Sequence, residues 1–216
     1  MPCSHCEEAD TFFDRSTAED ELRSFRRDGP PNASTRLLID GLKTLDLDGK
    51  TLLDVGGGVG MIQHELLDEG LSSATMVETS TPYLDVAEAE SRRRGHGART
   101  TFRRGDVVEL APELPEADLV TLDRVFCCYP HLKKMVRATA AKASRWYAVS
   151  YPREHWFNHV VGTFADLYCW GRGSDFRLYI HTGVDEAIQD AGFSRFYRVT
   201  TLLWTVAFYE RAPAGD

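Results

Sequence analysis

Basic charge is what this sequence has too little of. In 216 residues, 33 Asp and Glu outweigh 25 Lys and Arg, for a formal net charge of −8. Neutralising a nucleic-acid backbone takes clustered cations, so the balance argues against a nucleic-acid partner. The one basic run, Arg92-Arg93-Arg94, closes a predicted helix; there it complements the negative end of the helix dipole and faces solvent. Long apolar runs are also missing: none approaches the roughly 20 residues needed to span a bilayer. The opening stretch, MPCSHCEEADTFF, lacks the charged start and apolar segment of a secretion signal. Together these two absences point to the cytoplasm. Five cysteines, an odd number, do not make a disulfide framework. Internal repeats and low-complexity tracts are absent, which excludes solenoids and disordered linkers.

What is present is ordinary for a globular chain: 43% hydrophobic and 27% charged residues. The length suits one domain, with or without an elaboration, and buries a core without staples. Residues 1–29 are polar with scattered aromatics (Phe12, Phe13, Phe25) and read as a helical arm ending at Asp28-Gly29-Pro30-Pro31. A helix follows over 34–47, capped by Asn32 or Ser34, with Leu37, Leu38, Leu42 and Leu45 as its stripe. Then strands and helices alternate. Strands are expected at 51–55, 74–77, 100–103, 118–122 and 146–150, with helices at 61–69, 81–94 (Thr81 as cap, Pro82 first), 130–143 and 184–191. That rhythm predicts a parallel sheet with helices on both faces. Two last strands, 193–199 and 202–210, lie close enough in sequence for an antiparallel hairpin.

After the first strand comes Asp54-Val55-Gly56-Gly57-Gly58-Val59-Gly60. A glycine turn between strand and helix lets a ligand approach the backbone. A dinucleotide fingerprint needs glycine at the first, third and sixth positions. Counting from Gly56, glycines fall at the first, third and fifth, and Met61 holds the sixth. This suits a nucleoside with an amino-acid tail better than a dinucleotide, and speaks against a NAD-dependent oxidoreductase. Glu78 ends the second strand, 18 residues after Gly60, and is placed to accept from two ribose hydroxyls. Asp106, after the third strand, is placed to accept from an adenine amino group. Thr79 and Val107, beside the two acids, complete this group with Gly57.

Asp54-x-Gly56-x-Gly58-x-Gly60, the acid at Glu78 and the pair Gly105-Asp106 resemble the cofactor motifs of class I S-adenosylmethionine (SAM)-dependent methyltransferases. The resemblance covers about residues 34–210. It implies an α/β, Rossmann-like seven-stranded sheet, mostly parallel with the last strand antiparallel. It implies SAM as cofactor, S-adenosylhomocysteine as product, and Asp54 near the methionine end of the cofactor. The domain would then span 30–216, preceded by the helical arm, with an insert at 153–180.

The exit of the fourth strand carries Asp123, Arg124, Cys128, Tyr129 and His131, a dense set of functional groups over the expected cofactor; Asp123 and Arg124 count among the cofactor-binding candidates. Tyr129-Pro130, with Arg177-x-Tyr179-x-His181, is similar to the magnesium-protoporphyrin O-methyltransferase family. Members from the chlorophyll pathway carry a histidine just before the Tyr-Pro, where this chain has Cys128, and a tyrosine in the N-terminal arm, where it has Phe12 and Phe13. Methyl transfer asks the protein to align a nucleophile and, for a weak one, to remove its proton. Tyr129, His131 and His181 are the base candidates. Each also has a structural reading: packing on the cofactor, solvation, and orienting the following helix. With cysteine in the histidine's place, a small-molecule thiol, ordinary pKa about 8.5, is an alternative acceptor because it needs little base assistance. A catalytically silent SAM-binding module is a second alternative.

Cys3-Ser-His-Cys6 has the spacing of a zinc or redox pair but no second pair at zinc-site spacing, so no metal is assigned. The insert holds Trp156, Phe157, Phe164, Tyr168 and Trp170: a lid over an apolar pocket, a membrane-surface contact, or a helix packed on the sheet. Arg153, Arg172 and Arg177 flank it, able to receive a substrate carboxylate or to stay solvated. The expected partner is a small-molecule methyl acceptor; the sequence leaves a homo-oligomer open.

Overall fold

A computed structural model of the chain describes residues 13–153 and 179–212. Cys3, Cys6, Phe12 and the insert's aromatics and arginines from Trp156 to Arg177 lie outside the described residues.

The chain opens with α1 (Arg15–Asp28) and α2 (Ala33–Leu42). It continues as β1 (Thr51–Val55), α3 (Met61–Asp68), β2 (Ser73–Glu78), α4 (Thr81–Arg94), β3 (Thr100–Arg104), α5 (Val107–Leu110) and β4 (Ala117–Asp123). It closes with α6 (Leu132–Ala140), β5 (Ala143–Pro152), α7 (Val184–Asp190), β6 (Phe193–Thr200) and β7 (Trp204–Arg211). The seven strands make one sheet in the order β3-β2-β1-β4-β5-β7-β6. Every pairing is parallel except those of β7, which runs antiparallel to both β5 and β6. The alternating pattern therefore produces the expected Rossmann-like sheet, and the C-terminal hairpin supplies its single reversed strand.

Side chains alternate across each strand, and the two faces build two cores. Leu53, Val55, Val120, Leu122, Tyr147 and Val149 pack under α5, α6 and α7. Leu52, Ala74, Leu119, Trp146 and Ala148 pack under α2 and α3. The second face changes character toward the carboxyl ends of its strands. Two residues beyond Leu52, Leu119 and Ala148, the same face carries Asp54, Thr121 and Ser150 instead, all fully buried. Polar groups thus replace the core where β1 and β4 meet, the point at which strand order reverses. In open α/β sheets that crevice is where ligands bind.

Helix α1 lies on α4, with Ala18, Leu22 and Phe25 against Tyr83 and Val86. Its polar anchor is Glu90 on α4, a fully buried carboxylate bonded by Arg26 of α1 and by Arg93 and Arg94. These arginines hold the Glu90 carboxyl far below the usual carboxylate range against the opposing effect of burial. Of the three arginines expected to face solvent, Arg92 and Arg93 remain largely exposed, while Arg94 turns inward and covers the Phe25 ring of α1 at 4.8 Å.

Some boundaries differ from the pattern. Helix α2 stops at Leu42, five residues early, because Thr44 turns back and bonds the Gly41 carbonyl through both its N–H and its hydroxyl. The cap of α4 is Ser80 rather than Thr81: its hydroxyl accepts from the Tyr83 N–H, which places Thr81 and Pro82 inside the first turn. Helix α6 starts at Leu132, after Pro130 and His131, and ends at Ala140, so that β5 begins at Ala143.

Candidate functional site

The glycine loop is shaped by three left-handed residues, Gly56, Gly58 and Gly60, with φ of 64°, 60° and 85°. L side chains reach that region at a cost of roughly 1–2 kcal/mol. Two of the positions are also closed sterically. A Cβ on Gly56 would stand 2.5 Å from Val125 Cγ2, and one on Gly60 would stand 2.6 Å from Gln63 Nε2. Gly57 has an ordinary φ, but a Cβ there would lie 2.7 Å from Asp54 Oδ2. Only at Gly58 is there room toward the protein, the nearest atom being Tyr83 Cδ1 at 3.8 Å.

Two buried acids, Asp54 and Glu78, and a half-buried one, Asp123, stand about this loop. Asp54 accepts from the Thr121 hydroxyl at 2.7 Å through Oδ1, while Oδ2 has no hydrogen-bond partner among the described residues. Burial pushes the Asp54 carboxyl up to about 7; the Thr121 hydroxyl opposes this, and the charges of Asp123 and Glu78 add to it. Glu78 ties its own loop together. Its Oε1 accepts from the N–H groups of Thr79 (2.8 Å) and Ser80 (3.0 Å), and its Oε2 from Gly58 N–H at 3.1 Å. Burial still raises its pKa above the ordinary value. Asp123 accepts from Ser150 Oγ and from Thr35 Oγ1 at 2.6 Å, and burial raises it as well. Three carboxyls that burial pulls toward neutrality, one with an orphaned oxygen, form a site that a cationic ligand would relieve.

Asp106 caps α5, accepting from Val108 N–H at 2.7 Å, and its other oxygen accepts from the Tyr129 hydroxyl at 3.2 Å. Asp106 and Tyr129, 23 residues apart in sequence, are thus one unit. Val107, in the first turn of α5, packs in the core beside Val77.

The exit of β4 turns sharply. Arg124 is the one non-glycine residue among those described with positive φ, at 61°. Ser150 holds it there: the Arg124 N–H reaches both the Ser150 hydroxyl (3.0 Å) and its carbonyl (3.2 Å). The Arg124 guanidinium lies 5.0 Å over the Trp204 ring, on the β7 side and not toward the glycine loop. Val125 then packs on Gly56, and a short 3-10 turn, Phe126–Cys128, follows. Beyond it, His181 Nε2 lies 2.7 Å from the Tyr129 carbonyl oxygen. A carbonyl only accepts, so Nε2 donates, and in the neutral ring Nδ1 then holds the lone pair. The His181 tautomer is therefore that of a base. His131, by contrast, begins α6 with its side chain exposed.

The candidate residues separate accordingly. The glycines, Asp54, Glu78 and Thr79 surround one loop; Asp106, Tyr129 and His181 are joined by hydrogen bonds beside it; His131 is exposed with its ring edge-on to Tyr129 at 6.3 Å, and the Arg124 side chain turns to Trp204. The sequence reading missed Thr35, Thr121 and Ser150, which position the acids. Isolated hydroxyl residues give no local signal, but the same-face spacing from Leu119 to Thr121 and from Ala148 to Ser150 could have shown that two of them flank β1 and β4.

Residues 52–147 match the family model described as a methyltransferase domain. No curated protein sequence matches the chain. Solved structures match its fold. The magnesium protoporphyrin IX methyltransferase from Synechocystis PCC 6803 with bound S-adenosylhomocysteine superimposes with a TM-score of 0.73 at 20% identity, covering 97% of this chain and 100% of that one. An O-methyltransferase family protein from Burkholderia thailandensis gives a TM-score of 0.72 at 14% identity, covering 94% and 63%. A putative methyltransferase solved in complex with the Haloferax volcanii Trm112 activator gives 0.69 at 14%, covering 99% and 100%.

Proposed function

We propose that the chain, whose residues 52–147 match a methyltransferase domain and whose fold is that of solved methyltransferases, uses SAM as methyl donor and methylates a small-molecule acceptor bound over the carboxyl ends of β1 and β4. The observation that carries this reading is the pairing of the glycine cradle with the orphaned Asp54 oxygen. SAM supplies an electrophilic methyl group on a sulfonium, with a further cation at its amino-acid end. The residues fit that group. Gly56, Gly57, Gly58 and Gly60 leave the loop backbone open, and Asp54 offers a buried, unpaired acceptor to a cation. Glu78 Oε2 takes one hydrogen bond, from Gly58, and retains capacity for a hydroxyl donor. Thr79, Asp106 and Val107 border the same strand ends. Asp123 shapes the crevice from beneath, through Thr35 and Ser150.

His181 is the proposed base. Its Nδ1 is free to take a proton from an acceptor hydroxyl or amine, and the Tyr129 carbonyl holds the ring in place. Tyr129, braced by Asp106, positions the acceptor. Cys128, half-buried, precedes Tyr129, His131 lies edge-on to the Tyr129 ring, and Arg124 acts through its backbone turn. We take residues 30–216 as the methyltransferase unit and 1–29 as a separate arm, whose α1 docks on α4.

The test is a labelled-methyl transfer assay across phenols, carboxylates, amines and thiols, with SAM affinity measured by calorimetry. Transfer to an oxygen or nitrogen acceptor that needs His181 supports the reading. Transfer to thiols alone, indifferent to His181, replaces it with the thiol reading. SAM binding without turnover on any acceptor replaces it with a silent binding module.

A further inference from the structure

We propose that Cys127 and Cys128 form a vicinal-dithiol site that captures a thiophilic centre, a monosubstituted trivalent arsenical, as a two-point ligand at the rim of the acceptor space. Adjacent side chains on a strand point to opposite faces. The 3-10 turn Phe126–Cys128 instead brings the two sulfurs 3.7 Å apart. Both approach the same acceptor, the Arg124 carbonyl, at 3.1 Å from Cys127 and 3.8 Å from Cys128. The spacing decides what the pair can hold. A disulfide requires about 2.05 Å between sulfurs, which this turn does not offer without moving its backbone. One larger atom bridging both sulfurs needs no such movement.

Access is graded in the order that capture requires. Cys128 is half-buried and reachable, and Cys127 lies buried behind it. The contact between the two thiols lowers the Cys127 pKa and, with burial, raises that of Cys128, so Cys127 is the better nucleophile and Cys128 the more accessible one. Capture is a condensation without change of oxidation state. Two S–H bonds and the arsenic–oxygen bond of R–As=O break, two As–S bonds form, and the oxygen leaves as water with both protons.

The loop that carries the pair touches everything the proposed site uses. Val125 packs on Gly56, the Cys127 carbonyl accepts from Tyr179 N–H at 2.8 Å, and the next residue is Tyr129, whose carbonyl holds His181. An adduct at the two sulfurs loads the turn that joins the glycine loop to Tyr129 and, on the proposed function, blocks methyl transfer. Capture itself is independent of the methyltransferase reading; the block rests on it.

The probe is phenylarsine oxide, added to the full chain carrying Cys3→Ser and Cys6→Ser, since that pair is a second dithiol by spacing. Intact mass should show one adduct per chain with loss of water, reversed by a dithiol and not by a monothiol. Cys127→Ser and Cys128→Ser, each shown folded by its melting curve, should each weaken capture about 100-fold, the loss expected when a two-point ligand keeps one point. Turnover should fall in step with adduct formation in the parent and be insensitive to the probe in Cys127→Ser, each protein compared with itself. Absence of an adduct, reversal by a monothiol, or capture by either variant as tight as the parent's overturns the site. An adduct with full turnover overturns the block. A chain that never turns over still reports capture by mass, so the two failures are separable.

Discussion

Asp54 offers the sharpest perturbation, because its carboxyl is buried, carries one orphaned oxygen and has been moved from 3.8 to about 7. The sign follows from linkage. Between those two values the folded chain binds more protons at Asp54 than the unfolded chain, so stability falls as pH rises through the window. The difference between 3.8 and about 7, at about 1.36 kcal/mol per tenfold change in proton affinity, makes the full penalty about 4 kcal/mol. It is absent below pH 3.8 and complete above about 7. Asp54→Asn keeps an oxygen for the Thr121 hydroxyl and cannot ionise. Glu78 and Asp123 are raised as well and titrate in both proteins, so they largely cancel in the difference. The assay is urea unfolding of wild type and Asp54→Asn from pH 4.5 to 8, with and without SAM. Without SAM, wild type should lose stability relative to the variant by about 1 kcal/mol per pH unit up to pH 7. A cationic ligand favours the ionised form, so wild-type SAM affinity should tighten with rising pH up to about 7 and flatten above it. The variant should bind weakly at every pH. A difference between the proteins that is flat in pH would refute the burial argument. SAM affinity independent of pH in wild type would remove Asp54 from the cofactor's cation.

Gly57→Ala places a Cβ 2.7 Å from Asp54 Oδ2 and 3.0 Å from Met76 Cγ, so calorimetry should show SAM binding weakened at least as much as by Gly58→Ala, where only the left-handed backbone is strained. His181→Gln can still donate to the Tyr129 carbonyl but cannot take a proton; steady-state kinetics should show kcat reduced by about 10²-fold or more with KM little changed. An equal loss in His181→Ala and His181→Gln with raised KM would indicate positioning alone. Glu90→Gln leaves Arg26, Arg93 and Arg94 facing a neutral group, and denaturant unfolding should register a loss of about 3 kcal/mol, the low end for a broken buried pair because Arg26 and Arg93 are half-exposed.

Much of the fold was legible in the chain because its signals are local. The apolar run Thr51–Val55, the glycine turn after it and the periodic helices each declare themselves within a few residues, and their alternation leads to the parallel sheet. The glycine spacing and the acid at Glu78 were readable for the same reason: they sit at fixed offsets from β1. Boundaries such as Leu42 and Ser80 were not, since one hydroxyl decides each of them.

The sequence by itself determined the alternation of strands and helices, the glycine turn and the net negative charge. Only the tertiary structure decided what the acids do. Asp54, Glu78 and Asp123 look alike in sequence, but lateral strand pairing sets Asp54 beside Thr121 and Asp123 beside Ser150. Burial there turns ordinary carboxylates into groups with raised pKa values and one unpaired oxygen. Likewise His181 acquires its tautomer from Tyr129, 52 residues away. Desolvation and hydrogen-bond partners are properties of a packed neighbourhood, and residues so far apart in the chain become neighbours only once the sheet has formed.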